Sequence, residues 1–150
     1  MDTHDPPPML VGEYEHVVDE KNRLTFPARF RQAFGDGVVL TRGLDGCVVA
    51  YRRPDWARLV ESRLAPLDPL SKAARRLQRH FFGGAAEDVP DKQGRVTMPP
   101  HLIEHAALAR EVTVVGMHDH LEIWDRAAWR RQLEGGSVED VAERLASRND

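Results

Sequence analysis

Asp19-Glu20-Lys21-Asn22-Arg23-Leu24-Thr25-Phe26-Pro27 is written twice in this chain: seventy-two positions on stands Asp91-Lys92-Gln93-Gly94-Arg95-Val96-Thr97-Met98-Pro99. Asp, Arg, Thr and Pro recur in place, with apolar residues at the same positions between them. Self-similarity at a fixed spacing marks an internal repeat, and a repeat decides the fold before any single element does. One residue inserted after the second copy's helix carries the register onward: Gly43 falls on Gly116, Val48 on Leu121, Tyr51 on Trp124 and Trp56 on Trp129. The chain is two versions of one unit.

Working outward from the first copy, Glu13 to Val18 suits a strand, Asp19-Glu20-Lys21-Asn22 a turn and Arg23 to Phe26 the returning strand. Pro27 is placed to open a helix of at most two turns over 28–34, which Gly35-Asp36-Gly37 stops. Val38 to Thr41 and Cys47 to Tyr51 read as two strands joined at Gly43-Leu44-Asp45-Gly46, and Pro54-Asp55-Trp56 starts an amphipathic helix reaching Leu64. The organisation predicted is a disordered leader with the start of the first strand (1–12), unit one (13–64), a linker and basic helix (65–84), unit two (85–133) and an acidic helix (134–150). The basic helix belongs to neither unit, and its Leu77, Phe81 and Phe82 need a surface to cover them. Four short strands cannot bury both their faces alone, so an α+β fold is expected in which the two units interleave into one β-barrel with flanking helices.

At 150 residues, 41% hydrophobic and 30% charged, the composition is that of a globular protein rather than a disordered or fibrous one. No apolar run approaches the roughly 18–20 residues of a membrane span, and the acidic N-terminus lacks the features of a secretory signal. A cytoplasmic location is expected. The single cysteine, Cys47, lies in an apolar run and reads as a buried, inert thiol. Charge is unevenly spread: residues 1–20 hold six acids and no base and residues 134–150 five acids against two bases, leaving the middle net basic. Lys21, Arg23, Arg29 and Arg31 follow one another with no acid between them, as do Lys72, Arg75, Arg76 and Arg79. Either cluster suits phosphate as well as a solvated helix face.

One rival motif needs weighing. His101-Leu102-Ile103-Glu104-His105 matches a zinc-peptidase spacing, with imidazoles at i and i+4 and a carboxylate to activate water. The repeat register instead makes this helix the twin of Arg29-Phe30-Arg31-Gln32-Ala33, and no substrate domain is present to serve a metal. No phosphate-binding glycine loop, nucleophile elbow or carboxylate pair occurs elsewhere. Neither enzymatic activity, nor a cofactor, nor a metal site is expected.

The ordered series of motifs resembles the MraZ family, bacterial regulators built from two units of the AbrB type. It is carried by Gly12-Glu13-Tyr14, the Asp-x-x-x-Arg turns at 19–23 and 91–95, Thr41-Arg42-Gly43-Leu44-Asp45-Gly46, Arg75-Arg76-Leu77-Gln78-Arg79, Phe82-Gly83-Gly84-Ala85-Ala86-Glu87, Val114-Val115-Gly116 and Glu122-Ile123-Trp124-Asp125. The match runs from Met9 onward, and Met9-Leu10-Val11-Gly12 looks like the family's usual start. The resemblance implies a swapped-hairpin, AbrB-like barrel. It also implies a closed ring of identical chains, and nucleoid-associated binding of that ring to tandem short boxes in double-stranded DNA upstream of the division and cell-wall gene cluster. In such a family the Asp-x-x-x-Arg turns face DNA, which nominates Lys21, Asn22, Arg23, Arg29, Arg31, Lys92 and Arg95 as contacts, with Asp19 and Asp91 organising the loops.

The residue chemistry agrees. Asp19 can accept bonds from backbone amides of its own turn and pair with Arg23, aiming a guanidinium fork at guanine or phosphate. Lys21 would add a phosphate contact and Asn22 an amide reader. The first turn is expected to be the reader, because unit two has Gln93, His101 and Ile103 where unit one has Lys21, Arg29 and Arg31. On a short helix Arg29 and Arg31 cannot share one face. An alternative stays open: AbrB-type units also serve as antitoxins or protein-binding modules, and the acidic helix could be a partner-binding tail.

Overall fold

The structure, a computed structural model, describes residues 9–148, so the predicted leader over residues 1–8 lies outside the described residues. Strands β1 (Glu13–Val17) and β2 (Arg23–Thr25) lead to a single 3-10 turn at Ala28–Phe30, then to β3 (Val38–Arg42) and β4 (Val48–Arg52). Helix α1 (Arg53–Leu59) continues as a π turn over Val60–Leu64, and α2 (Lys72–Gly84) ends the first half. The pattern then repeats as β5 (Ala86–Asp88), β6 (Arg95–Thr97), α3 (Pro100–His105), β7 (Glu111–Gly116), β8 (His120–Asp125) and α4 (Arg126–Leu133), followed by α5 (Val138–Arg148).

The two units exchange strands. A six-stranded antiparallel sheet runs β1-β7-β8-β4-β3-β5, so each unit's first strand pairs with the other unit's third. The second strands, β2 and β6, form a separate two-stranded ribbon. In the ribbon Leu24 stands opposite Val96, and in the sheet Val49 stands opposite Glu122. Under the repeat register each of these residues faces its own counterpart, so a pseudo-two-fold axis passes through both pairs. The ribbon is tied to the sheet by a Val18–Leu24 bridge on one side. On the other, the Asp88 carboxylate accepts a 3.0 Å bond from the Thr97 amide. The ladders themselves do not join into one continuous closed ring among the described residues.

One core serves both halves. Leu24, Phe26, Phe30, Phe34 and Leu40 of unit one and Val96, Met98, Leu102, Leu121 and Ile123 of unit two are fully buried in a single cluster. Neither half has this interior without the other, which is why the interleaving is obligatory rather than decorative. On the sheet's second face Cys47, Val49, Tyr51, Val115 and Trp124 pack beneath Trp56 of α1 and Trp129 of α4. Burial pushes the Cys47 thiol well above its ordinary value, as an inert core residue requires.

One expectation is corrected. The helix over 28–34 shrinks to the 3-10 turn: the Phe30 amide donates to the Pro27 carbonyl at 2.8 Å and the Arg31 amide to the Ala28 carbonyl at 3.4 Å, three residues back rather than four, because so short a segment gains too few α-type bonds to hold regular geometry, while Phe26 and Phe34 meet edge to face at 5.0 Å in the core. The acidic helix runs to Arg148, with Ser137 accepting a bond from the Asp140 amide at its start. Every described residue from 131 to 148 is exposed.

Candidate nucleic-acid interface

The repeated turns fold alike, atom for atom. Asp19 Oδ1 accepts from the Lys21 and Arg23 amides, both at 2.9 Å, and Oδ2 accepts from Arg23 Nε at 2.9 Å. Asp91 Oδ1 accepts from the Gln93 and Arg95 amides at 2.9 Å, and Oδ2 from Arg95 Nε at 2.7 Å. The Asp19 carbonyl accepts from Asn22 N at 3.0 Å and the Asp91 carbonyl from Gly94 N at 2.9 Å, closing each turn. Asn22 (φ 60) and Gly94 (φ 78) take the left-handed position that follows a type I turn in a three-residue hairpin loop. That position is open to Asn and Gly and strained for most other side chains. Hydrogen bonds from the Arg23 and Arg95 amides, more than any other influence, hold the two aspartates below the ordinary carboxylate range.

Each carboxylate therefore braces the loop and orients an arginine at once. It engages Nε, which leaves the two terminal guanidinium nitrogens for another acceptor. Alternation along the ribbon does the rest. Leu24 and Val96 point into the core, so Arg23 and Thr25 of β2 and Arg95 and Thr97 of β6 share the opposite, outward face. Arg23 stands opposite Thr97 and Arg95 opposite Thr25, which sets the arginines on a diagonal with Cα atoms about 7–8 Å apart. The turns themselves sit at opposite ends of the ribbon, Asn22 bonded through its carbonyl to Met98 N and Gly94 to Phe26 N. Four residues at ~3.3 Å each separate the tips by about 13 Å.

Of the residues singled out in the sequence, Asp19, Lys21, Asn22, Arg23, Asp91, Lys92 and Arg95 are brought together at this ribbon, with Lys21, Asn22 and Lys92 exposed. Arg31 is also there, but at the other unit's turn, for its side chain lies against Gly94 and donates from Nε to the Phe26 carbonyl at 3.3 Å. The grouping of Arg31 with the first turn is thus corrected: interleaving carries each unit's short helical segment to its partner's loop. By the same symmetry Ile103, the counterpart of Arg31, lines a shallow cleft beside the first turn with Leu108 and Arg110. Arg29 reaches neither turn. It donates to the Tyr14 hydroxyl at 3.0 Å and lies 5.5 Å from the Phe30 ring centre. Thr25 and Thr97 were not anticipated, although the matching Arg-Leu-Thr and Arg-Val-Thr triplets carry the alternation that exposes them.

The zinc-like motif comes apart in space. His101 Nε2 lies 2.9 Å from the Gly84 carbonyl, while the His105 ring packs against His80 at 5.6 Å between centres. His118 lies within the β7–β8 turn and His120 opens β8, stacked on Tyr51. Among the described residues no group of three His, Cys, Asp or Glu side chains converges in a way that could hold a metal ion. No helix among them is long and apolar enough to cross a membrane.

Comparison with known proteins agrees with the repeat. The family described as "MraZ protein, putative antitoxin-like" matches residues 9–80 and again residues 81–149, the two matches meeting inside α2. A protein of Heliobacterium modesticaldum named "Transcriptional regulator MraZ" is 47% identical over 140 residues, covering 91% of this chain and 96% of its own. Proteins of the same name from Caldicellulosiruptor saccharolyticus and Limosilactobacillus fermentum are 44% identical (91% of this chain, 96% of theirs) and 46% identical (81% and 84%). With both halves matched and relatives this similar along nearly their whole length, the chain belongs to the MraZ family.

Proposed function

We propose that this chain regulates transcription by binding double-stranded DNA through the outward face of the β2–β6 ribbon. The observation that carries the reading is that strand exchange places both Asp-braced arginines on one surface, flanked by exposed Lys21 and Lys92. A braced guanidinium has already lost much of its freedom, so less is lost when it meets guanine N7 and O6 or a phosphate. A narrow two-stranded ribbon suits a major groove, and its pseudo-two-fold suits the local two-fold symmetry of a duplex. The relatives' name, transcriptional regulator, points the same way.

The finer reading is that ribbon and sheet close as a swapped-hairpin, AbrB-like barrel, the Val18–Leu24 bridge and the Asp88–Thr97 bond serving as its seams. Several such barrels in a closed ring would engage tandem short boxes upstream of the division and cell-wall gene cluster in the nucleoid. One ribbon makes few phosphate contacts and binds weakly in salt, whereas linked ribbons gain by effective concentration only where box spacing matches subunit spacing. Footprinting the region upstream of the protein's own gene tests this. Regularly spaced protected boxes are expected, and uniform protection or none would overturn it.

A further inference from the structure

The two ends of the β2–β6 ribbon differ in charge. Glu20 stands in the first turn where Lys92 stands in the second, and Ile103 lies beside the first turn where Arg31 lies beside the second. A carboxylate at the tip of a loop repels a phosphate backbone, which makes the first turn, by itself, the poorer of the two for DNA. The opposite unit supplies a base there from another position. Arg110, the residue before β7, lines the cleft beside the first turn, and its Nη2 lies 3.7 Å from Glu20 Oε1. Its backbone is fixed at the root of the hairpin, where its carbonyl accepts from the Val18 amide at 2.8 Å. Its side chain is 65% exposed and so stays open to a further acceptor. The corresponding residue before β3 is Gly37, which has no side chain to offer the second turn.

We infer that Arg110 is a phosphate contact of the first turn, serving there as Arg31 serves at the second. The inference rests on the ribbon being the DNA-binding face and names a further residue of that face. Interleaving gives each end of the ribbon one exposed arginine from the opposite unit, Arg31 from the segment before β3 and Arg110 from the loop before β7. A guanidinium 3.7 Å from Glu20 reaches the turn itself, so a backbone that meets Lys21 lies within its range. That distance is long for a hydrogen bond, and an exposed ion pair of this kind holds little energy, so the guanidinium keeps its donors for phosphate oxygens. A base at each end also matches the ribbon's pseudo-two-fold to the two backbones that border a groove. Phosphate contacts position a protein without reading sequence. Arg110 therefore supplies affinity, whereas Arg23 and Arg95 supply preference.

Fluorescence anisotropy over a range of salt tests this on the full chain, with a duplex from upstream of the protein's own gene and a scrambled duplex of equal length. Arg110→Ala should weaken binding to both duplexes by the same factor and leave the preference between them unchanged. The log–log salt dependence should become shallower by ~0.9 for each ribbon engaged. Arg110→Lys should restore most of both, because the charge is kept. In a Glu20→Gln background the loss on removing Arg110 should persist; if it vanishes, Arg110 serves only to neutralise Glu20 and the inference falls. It falls as well if Arg110→Ala leaves affinity and salt slope unchanged, or lowers the preference instead, while Arg23→Ala abolishes the preference, and the ribbon reading then stands. No effect of Arg23→Ala or of Arg110→Ala would overturn both. Only the carbonyl of Arg110 holds Val18, so its variants should keep the wild-type Tm, and lost binding is then not lost folding.

Discussion

Arg31 lies across Gly94: a Cβ built on that glycine would fall 2.7 Å from both the Cδ and the Nε of Arg31. A residue of the first unit thereby packs on the Asp-x-x-x-Arg turn of the second, and the contact exists only because the units exchange strands. Gly94→Ala is expected to cost about 1–2 kcal/mol from its left-handed backbone alone, with an added part from displacing Arg31. Gly94→Asn, which copies Asn22 at the equivalent position, should recover most of the backbone part. Arg31→Ala added to Gly94→Ala should recover only the part due to displacing Arg31. Thermal denaturation of the three variants checks this; equal Tm values for Gly94→Ala and Gly94→Asn would contradict it.

Leu24 and Val96 face each other on the pseudo-two-fold axis and are both fully buried. Truncating Leu24 to Ala should cost about 2–5 kcal/mol, and the loss should be felt by both halves together. Tryptophan fluorescence, which reports on Trp56 in one half and Trp124 and Trp129 in the other, should give one transition superimposable on circular dichroism. Two separated transitions would show halves that fold alone, against a shared core.

His105 Nε2 is buried without a hydrogen-bond partner. Burial first, then the neighbouring His80 and Arg42, lower its pKa below the ordinary imidazole value. A histidine depressed in the folded state binds its proton more readily when unfolded. Stability should therefore fall as pH drops below about 6.5, until the folded-state value is passed. His16, also lowered chiefly by burial, acts in the same direction. Replacing His105 by Leu should flatten part of the pH dependence of urea unfolding, and an unchanged slope would contradict the assignment.

The aspartates act in the same direction, in a lower pH window. Asp19 and Asp91 are held below the ordinary range, so the bracing they provide is present above the unfolded carboxylate value and is lost as pH falls through the folded one. Carbon-detected titration should find both side-chain pKa values below those of ordinary aspartates. Arg23→Ala should raise that of Asp19 only in part, because the backbone amides remain. Full return to the ordinary value would mean that the arginine, and not the turn, holds the charge.

Much of this was legible in the sequence where the cause was local. The Asp-x-x-x-Arg bracing follows from the reach of one short side chain, and the Ser71 cap of α2 from its hydroxyl, which accepts from the Ala74 amide at 3.2 Å. The repeat itself announced two equivalent units and an interleaved core. What the sequence withheld was tertiary. Nothing in the run Arg29-Phe30-Arg31 tells that Arg29 will lie on Tyr14 and Arg31 on Gly94, because both depend on which unit's loop the exchanged strands bring near. Thr25 and Thr97 became visible as neighbours of the arginines only once β2 was paired with β6. The short helix over 28–34 failed for a different reason: seven residues between Pro27 and Gly35 gain too few α-type hydrogen bonds to hold regular geometry, and the chain closes as turns reaching back three residues.

Arginines that read DNA sequence from the outward ribbon face must set the preference for one duplex over another. Fluorescence anisotropy should be measured at fixed salt for wild type, Arg23→Ala and Arg95→Ala, each against a footprinted box array and a scrambled duplex of equal length. Wild type is expected to prefer the array by ~10³ or more. Arg23→Ala should bring that ratio close to unity while leaving the weak binding to scrambled DNA and the assembly's mass nearly unchanged, and Arg95→Ala should lower it as well. A ratio preserved in both variants would contradict the assignment of the ribbon as the reading surface.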